Sequence, residues 1–85
     1  MKNLSGLTLY ERAFFRAVGA RIALFRLRRG LSLEEVAAYT AHSPEWLKGL
    51  EAGTEEPRLD DLFAVAKALG TDPGELVRVE PKVSF

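Results

Sequence analysis

Ser32 and Ser43 each carry the signature of a helix start, and so little chain separates them that whatever they open must be short and closely joined. Ser32 is followed three residues later by Glu35, the reciprocal pair of a capping box, with Val36, Ala37 and Thr40 continuing the helical register. Ser43 precedes Pro44, whose fixed φ suits the first helical position, and Gly53 supplies the stop. The spacing predicts two helices joined by about three residues. The second of them, read as "SPEWLKGLEAGTEEP", is acidic: Glu45, Glu51, Glu55 and Glu56 stand against Lys48.

Similar signals divide the rest of the chain. Thr8 with Glu11 forms a capping box, and Phe14, Val18, Ile22 and Phe25 recur at helical spacing, so a first helix is expected from about Leu9 to Arg29, stopped by Gly30. Gly19 reads as a weak point inside it, costing about 1 kcal/mol relative to alanine. "LDDLFAVAKALG" gives a fourth helix with Leu59, Leu62, Phe63, Val65, Ala66 and Leu69 on a broad apolar face. Asp72 and Pro73 cap a short fifth around Glu75 to Val77. The tail "RVEPKVSF" reads as an edge strand or a disordered end. Eighty-five residues, nearly half of them hydrophobic, suit one all-α domain with one core. Cysteine is absent, so disulfides and thiolate metal sites contribute nothing, and a second subunit is a natural source of added stability. There is no membrane-length apolar run and no leader pattern, so a cytoplasmic location is expected.

The zero net charge hides a split. Residues 1–30 hold seven bases against Glu11, and residues 31–61 hold eight acids against Lys48 and Arg58, so the two segments carry +6 and −6. A lone His42 without cysteine gives no metal site and reads as a solvated turn residue. No triad geometry is available from neighbouring residues of one tight turn, so no enzyme activity, cofactor or metal is expected.

From Val18 to Val77 the chain resembles the Cro and phage-repressor (XRE) helix-turn-helix domain. The resemblance rests on Arg26 before the first glycine, "GLSLEEVA", the pattern of Ser43, Trp46, Leu47, Leu50, Glu51 and Gly53, then Pro57 and "LFAVAKALGTDP". It implies a five-helix bundle of the lambda-repressor-like type, with core 18–77, an N-terminal extension 1–17 that lengthens helix 1, and a short tail 78–85. It also implies a structural ion pair between Arg26 and Glu51. The positions it assigns to DNA or partner contact are Ser32, Leu33, Ser43, Pro44, Glu45, Trp46, Lys48, Gly49 and Thr54. Apart from the resemblance, the arginines of helix 1 read mostly as a solvated face, with Arg12, Arg16, Arg28 and Arg29 as accessory bases and Arg12 and Arg16, four apart on one side, able to touch phosphate or an acidic partner.

Several of these depart from the family's pattern. Leu33 stands where a phosphate-holding glutamine is common, and Pro44, Glu45 and Gly49 stand where side chains reach base edges. Major-groove readout uses Arg, Lys, Asn and Gln above all, and affinity comes largely from bases neutralising phosphates. The acidic face therefore disfavours DNA. Two functions compete. One is a small XRE-type regulator binding DNA as a dimer at two half-sites about one helical turn apart. The other is a protein-interaction module, or an antagonist of a basic surface, using Leu33, Trp46 and the acidic rim. "GLSLEEVA" also resembles the opening of the helix-turn-helix domain of bacterial cell-shape proteins. Trp46 is either a half-buried cover for the angle between helices or a contact anchor. Tyr10, Phe14 and Phe15 either fold against the tail or form a dimer or partner surface, with Phe14 buried and Phe15 exposed or paired.

Overall fold

The computed structural model describes residues 8–81. Five helices follow one another: α1 (Leu9–Arg28), α2 (Leu33–Ala37), α3 (Pro44–Glu51), α4 (Leu59–Leu69) and α5 (Pro73–Val77), with no strand among the described residues. α1, α2, α3 and α5 each begin where a local side chain satisfies an orphan amide of the first turn, and at α4 the Asp61 carboxylate instead accepts the Arg58 amide. Thr8 and Glu11 exchange hydrogen bonds at α1, as do Ser32 and Glu35 at α2. Ser43 Oγ accepts from the Trp46 amide, and Asp72 Oδ1 from the Glu75 amide. The helix ends are equally local: Gly30, Gly53 and Gly70 sit at φ +66°, +79° and +68°. Helix 1 ends at Arg28, one residue short of the expected limit, with Arg29 as its cap.

The core draws on every helix: Val18 and Ile22 from α1, Val36 and Ala37 from α2, Leu47 and Leu50 from α3, Val65, Ala66 and Leu69 from α4, and Leu76 from α5. Arg21 holds α5 against α1, its guanidinium donating to the Glu75 carbonyl and, at 3.2 Å, to the Glu75 carboxylate.

Three expectations change here. Gly19 is where α1 and α3 cross: a Cβ built on it would lie 2.8 Å from the Glu51 carbonyl oxygen and nearer still to that of Leu50. The missing side chain lets two backbones touch, so the residue is required by packing. Next, the apolar face of α4 is narrower than its composition suggested. Leu62 packs on the core, whereas Leu59 and Phe63 are 68 % and 55 % exposed, because α2 and α5 cover only part of its girth. Lastly, residues 78–81 form neither a strand nor a detached end: Val79 packs against the core and its amide bonds the Val77 carbonyl. The rest of the expected tail, 82–85, and the start of the extension, 1–7, lie outside the described residues. Of the extension's aromatic residues, Tyr10 is exposed and Phe14 and Phe15 are half-buried. Phe14 packs on the core and pairs edge-to-face with Phe15 at 5.9 Å.

Candidate functional site

The connection from α2 to α3 occupies residues 38–43, longer than the three expected, because α2 ends in tightened i→i+3 bonds from Tyr39 to Val36 and from Thr40 to Ala37. Thr40 organises this turn. Its hydroxyl donates to the Ala37 carbonyl at 2.8 Å and accepts from the His42 amide at 3.0 Å.

His42 is not a solvated turn residue. Its Nε2 lies 2.8 Å from Asp61 Oδ1, and its ring stacks on Trp46 with centroids 3.8 Å apart. Asp61 is 6 % exposed, and its other oxygen accepts the Arg58 amide at 2.9 Å. One carboxylate thus ties the α2–α3 turn to the start of α4, and the Trp46 ring closes over the joint. Removing the imidazole leaves a buried carboxylate short of a partner, so His42→Ala is expected to cost about 1–3 kcal/mol. Chemical denaturation would show this as a lower midpoint, and an unchanged midpoint would mean the joint contributes nothing.

The far end of α3 is fixed by Arg26 and Glu51. Nε donates to Oε2 at 2.6 Å, Nη2 to Oε1 at 3.0 Å, and Nη1 to the Leu31 carbonyl at 2.9 Å. The side chains are only 13 % and 11 % exposed. The hydrogen bond to Glu51 is the main influence on the guanidinium, holding its pKa above the ordinary arginine value against the opposing effect of burial. The ion pair expected from the family resemblance is therefore present, and it accounts for one of the acids of α3.

With Leu47 and Leu50 anchored inside, α3 turns Glu45, Lys48 and Ala52 outward. Other candidates are already engaged. Ser32 and Ser43 accept the amides they cap, and Leu33 packs on the core. Thr54 bonds back to the Gly49 carbonyl through both its amide (2.9 Å) and its hydroxyl (3.1 Å). Gly49 is covered from the following loop, since a Cβ there would fall 2.9 Å from Glu55 Cγ. Pro44 is half-buried and contributes ring surface alone.

The accessory bases divide. Arg28 is exposed in the last turn of α1, while Arg29 folds back on the Phe25 carbonyl and ring. Arg16 lies under Gly53, at the far end of α3 from Glu45, and Arg12 is one turn before it on α1. Arg58 was missed in the sequence. Its side chain is 83 % exposed at the start of α4, and its amide bonds the same carboxylate that holds His42, which puts it on the flank of the first turn of α3. No local pattern could have shown this, since the link passes through Asp61. Among the described residues no acid or histidine cluster is placed to hold a metal, and no helix is long and apolar enough to cross a membrane.

Two short helices braced at a fixed angle, the second with an uncovered outer face, define a helix-turn-helix unit. A protein-family model described as "Helix-turn-helix domain" matches residues 17–79, and the chain belongs to that family. It is 36 % identical over 70 residues to the "Uncharacterized HTH-type transcriptional regulator y4dJ" of Sinorhizobium fredii, covering 82 % of this chain and 91 % of that one. Among solved structures it is similar to the clp gene regulator ClgR from C. glutamicum (TM-score 0.70, 33 % identity, 75 % of this chain and 83 % of that one). It is also similar to the restriction-modification controller protein C.AhdI from Aeromonas hydrophila (TM-score 0.66, 28 % identity, 80 % and 94 %).

Proposed function

We propose that this protein is a small transcription regulator that binds duplex DNA by laying α3 in the major groove. The observation that carries the reading is the uncovered outer face of α3, held by the His42–Asp61 joint at one end and the Arg26–Glu51 pair at the other. Both anchors lie behind the helix, so they fix its angle without occupying the surface that would meet a groove. The likeness to proteins named as regulators supports the same role.

The chemistry of that face is sparse. Lys48 suits the O6 and N7 acceptors of guanine, and Glu45, acceptor-only, suits the N4 amino group of cytosine. Arg28 and Arg58 flank the unit as phosphate contacts. Two or three such contacts give a shallow salt dependence, with log affinity falling by about 2 to 3 per decade of salt. Trp46 weighs against the competing protein-interaction reading, since its ring is committed to His42 and the core. The exposed carboxylates Glu34 and Glu45 keep a basic protein surface as the partner that DNA-free behaviour would indicate.

The test is fluorescence anisotropy with random-sequence duplex DNA at low and moderate salt. Binding that weakens with salt is expected; Lys48→Ala should lower affinity, and Arg58→Ala, at a phosphate contact, should reduce the salt slope by about 1. Absence of binding at low salt, or indifference to Lys48→Ala, would overturn the reading.

A further inference from the structure

Helix α1 has a second apolar face. Besides the residues it gives to the core, Tyr10, Ala13, Ala17, Ala20, Leu24 and Leu27 follow one another at alternating steps of three and four, the spacing of a coiled-coil seam. No charged residue falls on this line. Most of it lies outside the core: Ala13 is buried and Ala17 half-buried, but Tyr10, Leu24 and Leu27 are 59 %, 42 % and 65 % exposed, and Ala20 is exposed as well.

We infer that this face of α1 is a homodimer interface in which a second copy packs antiparallel. The occupant follows from the order of side-chain sizes. Turned end for end about the point midway between Ala17 and Ala20, the stripe sets Tyr10 opposite the partner's Leu27, Ala13 opposite the partner's Leu24, and Ala17 opposite the partner's Ala20. Each large residue except the terminal pair meets a small one. The structure has a receptor for the knob: Ala13, Arg16, Ala17 and Glu80 bound an open hollow of about 330 Å³, with Ala13 recessed at 3 % exposure on its wall. The partner's Leu24 fills it as a knob fills a hole. A parallel copy would set Leu24 against Leu24 and leave both hollows empty.

The seam from Tyr10 to Leu27 takes up most of the 20-residue helix, is about 25 Å long and buries on the order of 1,000 Å² in total, the low end for a specific interface, so a weak, reversible dimer is expected. Gly19 and Arg26, which face α3, lie roughly a third of a turn around α1 from the seam. A two-fold axis crossing the seam keeps that side common to both chains. Both α3 helices then lie on the same side of the dimer, so one face of the assembly carries both.

Analytical ultracentrifugation from micromolar to millimolar chain tests this directly. The unaltered protein should pass from monomer to dimer, and Leu24→Glu should raise the dimer dissociation constant about a hundredfold or more while far-UV circular dichroism stays unchanged. Leu27→Glu, at a more exposed position, serves as the second variant should the first fail to fold. Because the chain lacks cysteine, mixing Ala17→Cys with Ala20→Cys chains reports the register: oxidation should give a crosslinked pair faster in the mixture than in either alone. A monomer at every concentration, a dimer indifferent to both glutamates, or crosslinking no faster in the mixture would overturn the inference.

Discussion

Gly19→Ala is expected to destabilise the protein by about 3 kcal/mol, lowering the melting temperature by about 15 °C for a chain of this size. Helix propensity alone gives the opposite sign, since alanine inside a helix is favoured over glycine by about 1 kcal/mol. Packing decides. The new methyl would be driven into the carbonyl oxygens of Leu50 and Glu51, both backbone atoms of the last turn of α3, which cannot rotate aside as a side chain would. Relief requires α1 and α3 to separate, and that separation strains the Arg26–Glu51 pair and the seat of Gly53 on Arg16. Thermal melting by circular dichroism measures this, and a melting temperature equal to or above that of the unaltered protein would show that the helices do not cross as described.

Glu51→Ala is expected to cost about 3–5 kcal/mol, because it leaves the Arg26 guanidinium buried with the Leu31 carbonyl as its remaining acceptor. Glu51→Gln, which keeps an acceptor in place, should cost less. Replacing both partners together, Arg26→Met with Glu51→Leu, should recover much of the loss, since a buried pair exchanged for apolar packing is often near neutral. Urea titration of the three variants measures the differences. A loss under about 1 kcal/mol for Glu51→Ala would place the pair among solvent-screened surface bridges and remove the structural role assigned to Glu51.

Where the fold depends on signals three or four residues apart, the sequence was informative. The capping pairs Thr8 with Glu11 and Ser32 with Glu35, the Ser43–Pro44 start and the glycine stops are local, and each marks a helix end that the structure shows. Arg26 with Glu51 is a long-range pair, visible beforehand only through the family resemblance. What escaped were contacts between distant segments with no period to announce them. His42 and Asp61 are 19 residues apart and neither belongs to a motif. Gly19 looks like a defect when helix 1 is read alone and becomes a requirement once α3 is laid across it. On α4, apolar residues fall almost all round, so composition could not say that Leu59 and Phe63 would stay outside. The outward positions of α3 followed from its inward leucines, but the covering of Gly49 by Glu55 depends on how the next loop returns.

Amide chemical-shift mapping with a short duplex is the measurement that most directly tests whether α3 faces DNA. ¹⁵N-labelled protein titrated at low salt should show its largest changes at Glu45 to Gly49, with smaller ones near Arg28 and Arg58. Changes confined to the Arg12 and Arg16 end of α1, or no changes at all, would contradict the assignment of α3 as the DNA-facing helix.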